Sequence, residues 1–179
     1  MHRDEIDRLN QLEAYVPDVW TKGPILYVGA NQNRFYFSMA LKASQQQVFL
    51  LEIETDRANW LRTAYDEFVI GCGDIRTWDL SEWHPNTIIW SHGPSVLPSY
   101  YQLDATLSTM REIPLVVLMC PWGKYDHGDG SIREVDRNKL QLYPDFFVER
   151  GFAVHCIGEK DVSGSNLLAW RRSHGIEGH

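Results

Sequence analysis

The chain has 179 residues, of which 44% are hydrophobic and 23% are charged, and its formal net charge is −7 at pH 7. This length fits one domain with a single core. No apolar run approaches the roughly 20 residues of a membrane span, and a negative chain without a basic run is a poor partner for nucleic acid. The charged N-terminus lacks the apolar stretch of a secretory signal, so we expect a soluble, cytoplasmic protein.

The cysteines are few and widely spaced. Cys72, Cys120 and Cys156 form an odd set in which each residue lies in or beside an apolar run. This pattern predicts reduced, mostly buried thiols, and it predicts neither a disulfide framework nor a zinc site.

The first elements along the chain alternate between helix and strand. Apolar residues at spacings of three and four predict an amphipathic helix over 4–16. Short apolar runs predict buried strands over 25–28 and 48–53, with a helix over 34–43 between them. The turn at Val28-Gly29-Ala30-Asn31 therefore joins the first strand to the following helix.

The same alternation continues towards the middle of the chain. A helical pattern covers 56–68, with Thr55 or Asp56 as its capping residue, and a short third strand is predicted over 68–71. A fourth strand over 87–90 lies between turn residues on both sides. Strands separated by helices imply a parallel sheet.

The remaining elements include a long polar connection. A helix over 99–112 precedes a fifth strand over 115–119, and the segment 121–142 exceeds ordinary loop lengths, which predicts a lid or binding loop. A helix then follows over 144–150.

The last two predicted strands, 152–157 and 166–170, are joined by only eight residues. A parallel crossover needs a dozen or more residues, so these strands should pair antiparallel. A standard nicotinamide-binding domain, with all strands parallel, does not end in this way.

A strand-helix alternation closed by a hairpin resembles the class I S-adenosylmethionine-dependent methyltransferases. The resemblance covers residues 23–172 and implies an α/β fold: a three-layer Rossmann-like sandwich with a mostly parallel seven-stranded sheet and an antiparallel last strand. Residues 1–22 are then an N-terminal helical extension, and 173–179 a tail.

The first motif of this family is an acidic residue followed by a Gly-x-Gly-x-Gly turn, and residues 25–33 take its place. Only Gly29 matches, since Tyr27, Asn31 and Asn33 depart from the motif. Asparagine is the residue that next most readily tolerates the left-handed backbone that glycine adopts there.

Two further segments carry the resemblance. Glu52, at the end of the second strand, matches the family's acidic residue that binds both ribose hydroxyls, with Glu54 as a competitor. Gly73-Asp74-Ile75 is similar to the segment whose Asp accepts from the adenine amino group while the next side chain packs on the ring. Solvation or helix capping for Glu52, and an ordinary turn for Asp74, are the structural alternatives. The residues implied in cofactor binding are Gly29, Ala30, Asn31, Glu52, Ile53, Asp74, Ile75 and Ser91.

The segment Ser91-His92-Gly93-Pro94 follows the fourth strand, where nitrogen-methylating relatives often carry Asn/Asp-Pro-Pro-aromatic; that signature is absent. His92 is a candidate general base because its intrinsic pKa is near neutral, and a structural histidine is the alternative. Residues 126–129 contain metal-ligand types, but their spacing fits no dedicated site, so no metal is predicted.

These observations predict S-adenosylmethionine-dependent methyl transfer to a small-molecule acceptor. A non-catalytic or regulatory domain of the same fold, with or without S-adenosylmethionine or S-adenosylhomocysteine, is the alternative. A nicotinamide-dependent oxidoreductase is a third reading that the hairpin and the missing Gly-x-Gly-x-x-Gly disfavour. The sequence is also compatible with a homo-oligomer.

Overall fold

A computed structural model shows how these elements are arranged. The residues that it describes are 2–29, 35–91, 93–123, 140–162 and 165–173. The predictions for Ala30, Asn31, His92 and the 126–129 segment therefore lie outside the described residues. The predicted domain boundaries, including the tail over 173–179, stay a prediction.

The chain divides into two compact units, 1–89 and 90–179. Before β4, the described residues of the first unit form three helices, three parallel strands and one 3-10 helix. These elements are, in order, α1 (His2–Tyr15), β1 (Ile25–Val28), α2 (Phe35–Ala43), β2 (Val48–Glu52), α3 (Thr55–Ala64), β3 (Val69–Cys72) and the 3-10 helix Leu80–Glu82.

Strands β1 and β2 form because their side chains, apart from that of Glu52, are apolar and enclosed. Every residue of β1 and β2 is buried. Strand β2 pairs in parallel with β1 on one side and with β3 on the other. Because β2 is a central strand, it reads as a continuous apolar run rather than as an alternating one.

The second unit begins within β4 (Thr87–Ser91), which crosses the border between the units. Its strands β5, β6 and β7 are joined by antiparallel pairing of β7 with both β5 and β6. The elements after β4 are α4 (Gly93–Val96), α5 (Tyr100–Thr109), β5 (Leu115–Pro121), α6 (Pro144–Val148), β6 (Ala153–Ile157) and β7 (Asn166–Arg172).

The strand order of the sheet is β3-β2-β1-β4-β5-β7-β6, with seven strands. The antiparallel β7 confirms the hairpin that the short connection predicts, and the predicted fold class is confirmed with it. No described helix is long and apolar enough to cross a membrane.

Helix α3 differs from its prediction at both ends. It begins at Thr55 and ends at Ala64, so Thr55 lies inside the helix, and its N-cap is Glu54, whose side chain makes no capping hydrogen bond. The prediction extended the helix to Phe68. Tyr65 instead leaves the helical conformation, with φ −136° and ψ 89°, and its ring stacks on that of Phe68 with centroids 5.5 Å apart.

Candidate functional site

Three of the predicted segments meet at the carboxyl edge of the first unit's strands. The register pairs Val28 with Leu51, and Glu52 with Cys72. The amide of Gly29 donates to the Leu51 carbonyl at 2.9 Å, and the amide of Gly73 donates to the Glu52 carbonyl at 3.0 Å. The Gly29 turn, Glu52 and the Gly73-Asp74 segment are therefore neighbours along one edge. Ligands of open α/β sheets gather at this kind of edge.

Gly29 adopts a backbone conformation that explains why the first strand ends in glycine. Its φ is +76°, in the left-handed region where a Cβ atom is unfavourable. The chain leaves β1 here and enters α2 at Phe35. The glycine that matches the family motif is thus the residue that its local backbone requires.

Glu52 is the buried carboxylate of this edge. It is 3% exposed, and its Oε1 accepts the amide hydrogen of Glu54 at 3.1 Å. Within the described part of the chain, this is the one hydrogen bond of the carboxylate. An ionised carboxylate has about four acceptor positions, so most of its capacity is unused. Ile53, the next residue, is 61% exposed.

Glu54, the competing acidic residue, has a different environment. Its side chain is 56% exposed and pairs with Arg57 at 3.1 Å, one turn along α3. Exposed pairs of this kind contribute little to stability. The structure therefore separates a buried carboxylate at the strand end from a solvated one two residues later.

Asp74 is held by a single neighbouring residue. Its Oδ1 accepts the Arg76 amide at 2.9 Å, and its Oδ2 accepts Nε and Nη2 of the same arginine at 2.8 and 2.5 Å. The Arg76 side chain holds the pKa of the Asp74 carboxyl below its usual value, while partial burial opposes this effect. Ile75, between the two, is buried.

An aromatic stack covers the same segment and was not predicted as a unit. A Cβ atom on Gly73 would lie 2.6 Å from the Trp78 ring, and one on Gly71 would lie 2.5 Å from the Trp83 ring. Trp83 in turn stacks on Phe49 of β2 with centroids 4.8 Å apart. The sequence signal was the pair of glycines two residues apart, since each one admits an indole ring against the backbone.

The Trp78 ring carries a polar group without a partner. Its Nε1 is buried and, within the described residues, makes no hydrogen bond. A buried donor without an acceptor is uncommon and destabilising. Trp78 therefore lies over Gly73 with a buried donor that no described residue accepts.

The predicted residues of the second unit are less fully described. Ser91, the last residue of β4, is buried, while His92 lies outside the described residues. The predicted 121–142 loop is described only at its ends, where the Gly123 amide donates to the Leu142 carbonyl at 2.8 Å. The role of this loop stays a prediction.

Among the described ranges, no group of three or more His, Cys, Asp or Glu residues is arranged to hold a metal ion. All three cysteines are free thiols, with Cys120 buried, Cys156 half-buried and Cys72 exposed. Cys72 thus lies at the same strand edge as Glu52.

Comparisons with known proteins give structural relatives only. No family model matches the sequence, and no curated protein matches it. The solved N-methyltransferase NodS from Bradyrhizobium japonicum WM9 superposes with a TM-score of 0.70 at 13% identity, covering 96% of this chain and 97% of NodS. A second NodS structure contains S-adenosylhomocysteine and superposes with a TM-score of 0.62 at 13% identity, covering 92% and 87%.

Two other solved structures have similar scores. The N-terminal domain of EvdMO1, solved in the presence of S-adenosylhomocysteine and D-fucose, gives a TM-score of 0.69 at 13% identity, covering 97% of this chain and 84% of that domain. A protein from Rhodobacter sphaeroides assigned as a Zn-dependent alcohol dehydrogenase gives 0.60 at 12% identity, covering 91% and 89%. The chain therefore has a class I methyltransferase-like fold.

Proposed function

We propose that this protein binds S-adenosylmethionine at the carboxyl ends of β1 to β3 and transfers its methyl group to a small-molecule acceptor. The observation that carries the proposal is the buried carboxylate of Glu52, with a single hydrogen bond from the described chain. A buried charge is stable only when it is paired or hydrogen-bonded. The two hydroxyls of a ribose would donate further hydrogen bonds to the free acceptor positions of this carboxylate.

Gly29 and Asp74 flank Glu52 in positions suited to the rest of an adenosine group. The left-handed backbone of Gly29 lets the chain approach a ligand closely, and Ala30 and Asn31 follow it in the sequence. From the described residues, Asp74 accepts two hydrogen bonds at Oδ2 and one at Oδ1. Because each oxygen has about two acceptor positions, Oδ1 keeps one for an adenine amino group. Ile75 and the exposed Ile53 would supply apolar contacts.

The chemistry of the bound cofactor is a displacement at its methyl carbon, in which the acceptor forms the new bond and the electron pair of the broken bond stays on sulfur. Much of the rate enhancement of such a reaction comes from holding the two reactants in line. Ser91 would line the site, and His92 would take the proton from the acceptor where one must leave. Ser91 is the last residue of β4, and His92 is the next residue in the sequence.

The alternative is a domain that keeps the fold and binds the cofactor without turnover. Two features of the sequence favour it: Asn31 and Asn33 stand where the family has glycines, and Ser91-His92-Gly93-Pro94 stands where nitrogen-methylating relatives have Asn/Asp-Pro-Pro-aromatic. The antiparallel β7 argues against an all-parallel nicotinamide-binding domain. It therefore disfavours a nicotinamide-dependent oxidoreductase.

A turnover assay separates the catalytic proposal from its alternative. The protein is incubated with S-adenosylmethionine and panels of small amines, hydroxyl compounds and thiols, and S-adenosylhomocysteine is quantified by mass spectrometry. We expect acceptor-dependent product, and a His92→Ala variant should lower kcat by roughly 100-fold or more if the histidine acts as a base. Cofactor binding without product across the panels would favour the non-catalytic domain.

A further inference from the structure

A second buried carboxylate in the first unit belongs to the N-terminal helix α1. Glu5 is 3% exposed, and its Oε1 accepts the amide hydrogen of Phe37 at 3.1 Å. Phe37 is the third residue of α2, the helix that follows the Gly29 turn. An acidic side chain from 32 residues away thus lies on the first turn of this helix.

The start of α2 is a place where anions bind by general physical chemistry. The first amides of a helix have no intrahelical acceptor, and the helix dipole adds partial positive charge there. In dinucleotide-binding domains of related architecture, the ligand pyrophosphate occupies the N-terminus of the helix that follows the first strand. In this protein the Glu5 carboxylate already accepts one of the first amides of α2, that of Phe37.

Packing fixes Glu5 in this position. Leu12, two turns further along α1, and Val16, directly after the end of this helix, are fully buried. The ring of Phe37 contacts Tyr27 of β1, with centroids 5.6 Å apart, and Trp20, with centroids 6.5 Å apart. The carboxylate therefore stays at the helix start unless α1 separates from α2, which would expose these apolar contacts.

We propose that Glu5 is a specificity-determining residue that excludes ligands with a phosphate group at the start of α2. A phosphate there would lose the amide that Glu5 occupies and would meet a fixed negative charge of low solvent exposure. An adenosine cofactor without phosphates, such as S-adenosylmethionine, meets no such repulsion. The inference rests on the proposed function only for the adenosine part of the ligand.

The test compares ADP and S-adenosylhomocysteine on the same samples by calorimetry. Glu5→Gln keeps an oxygen acceptor for the Phe37 amide but removes the charge, so we expect it to bind ADP at least tenfold more tightly than the wild type. Its affinity for S-adenosylhomocysteine should change by less than about threefold. Glu13→Gln is the matched control, because Glu13 lies on the same helix and accepts a hydrogen bond from Trp20 Nε1 rather than from α2, and it should change neither affinity.

Folding is checked by circular dichroism, and Glu5→Ala serves as a second variant without charge, for which the same gain in ADP affinity is expected. A folded Glu5→Gln or Glu5→Ala protein with unchanged ADP affinity would overturn the inference. A wild type that fails to bind S-adenosylhomocysteine would instead defeat the proposed function, and a gain in ADP affinity in the variants would then still support the role of Glu5.

Discussion

Replacing Glu52 by Gln is expected to weaken S-adenosylhomocysteine binding roughly 100-fold. Hydrogen bonds to a charged group contribute about 1.5 to 3 kcal/mol each, and loss of the charge beneath two ribose hydroxyls should remove about 3 kcal/mol in total. The exchange keeps the size of the side chain, and Oε1 still accepts the Glu54 amide. Affinity is measured by calorimetric titration of the wild type and the variant.

Glu54→Gln is the matched control for this substitution. It makes the same chemical change two residues away, on a side chain that is more than half exposed and pairs with Arg57. Its affinity should lie within about twofold of the wild-type value, because exposed pairs contribute little. If Glu52→Gln and Glu54→Gln bind S-adenosylhomocysteine with equal affinity, Glu52 does not contact the cofactor.

The second large effect is expected at Gly73. A Cβ atom at this position would lie 2.6 Å from the Trp78 ring, so Gly73→Val must displace the indole. Overpacking of this kind destabilises proteins by about 1 to 3 kcal/mol. Thermal or urea unfolding should show that the free energy of unfolding of Gly73→Val is lower than that of the wild type by an amount in that range. S-adenosylhomocysteine affinity should fall as well, because Asp74 and Ile75 follow directly.

A double-mutant cycle identifies the cause of that loss. If contact with Trp78 is responsible, Gly73→Val should cost much less free energy of unfolding in a Trp78→Ala background than in the wild type. The φ of Gly73 lies outside the left-handed region, so no backbone strain is expected in either background. Strictly additive effects would show that the indole is not what requires glycine here.

The fold could be predicted because burial leaves a direct pattern in the sequence. Strand β2 reads as an unbroken apolar run since both of its faces are covered, and its prediction over 48–53 differs from Val48–Glu52 by one residue. The eight residues between β6 and β7 permit only an antiparallel return, which is what the pairing shows. Helix α4 and the 3-10 helix were missed because such short elements carry no periodicity.

The site could be predicted only in part, because its contacts join irregular segments. The position of Glu52 follows from where an apolar run ends. The pairing of Asp74 with Arg76, and the packing of Trp78 on Gly73, depend on turn geometry that spacing does not reveal. Glu5 did leave a signal: it shares the helical phase of Leu12 and Val16, so a carboxylate interrupts an apolar stripe.

Calorimetric titration of the wild-type protein with S-adenosylhomocysteine and with NAD, side by side, tests the proposed cofactor site most directly. We expect saturable one-to-one binding of S-adenosylhomocysteine at concentrations below about 1 mM and no detectable binding of NAD in the same range. Absence of S-adenosylhomocysteine binding, or tighter binding of NAD, would contradict the assignment of the Gly29, Glu52 and Asp74 edge to S-adenosylmethionine.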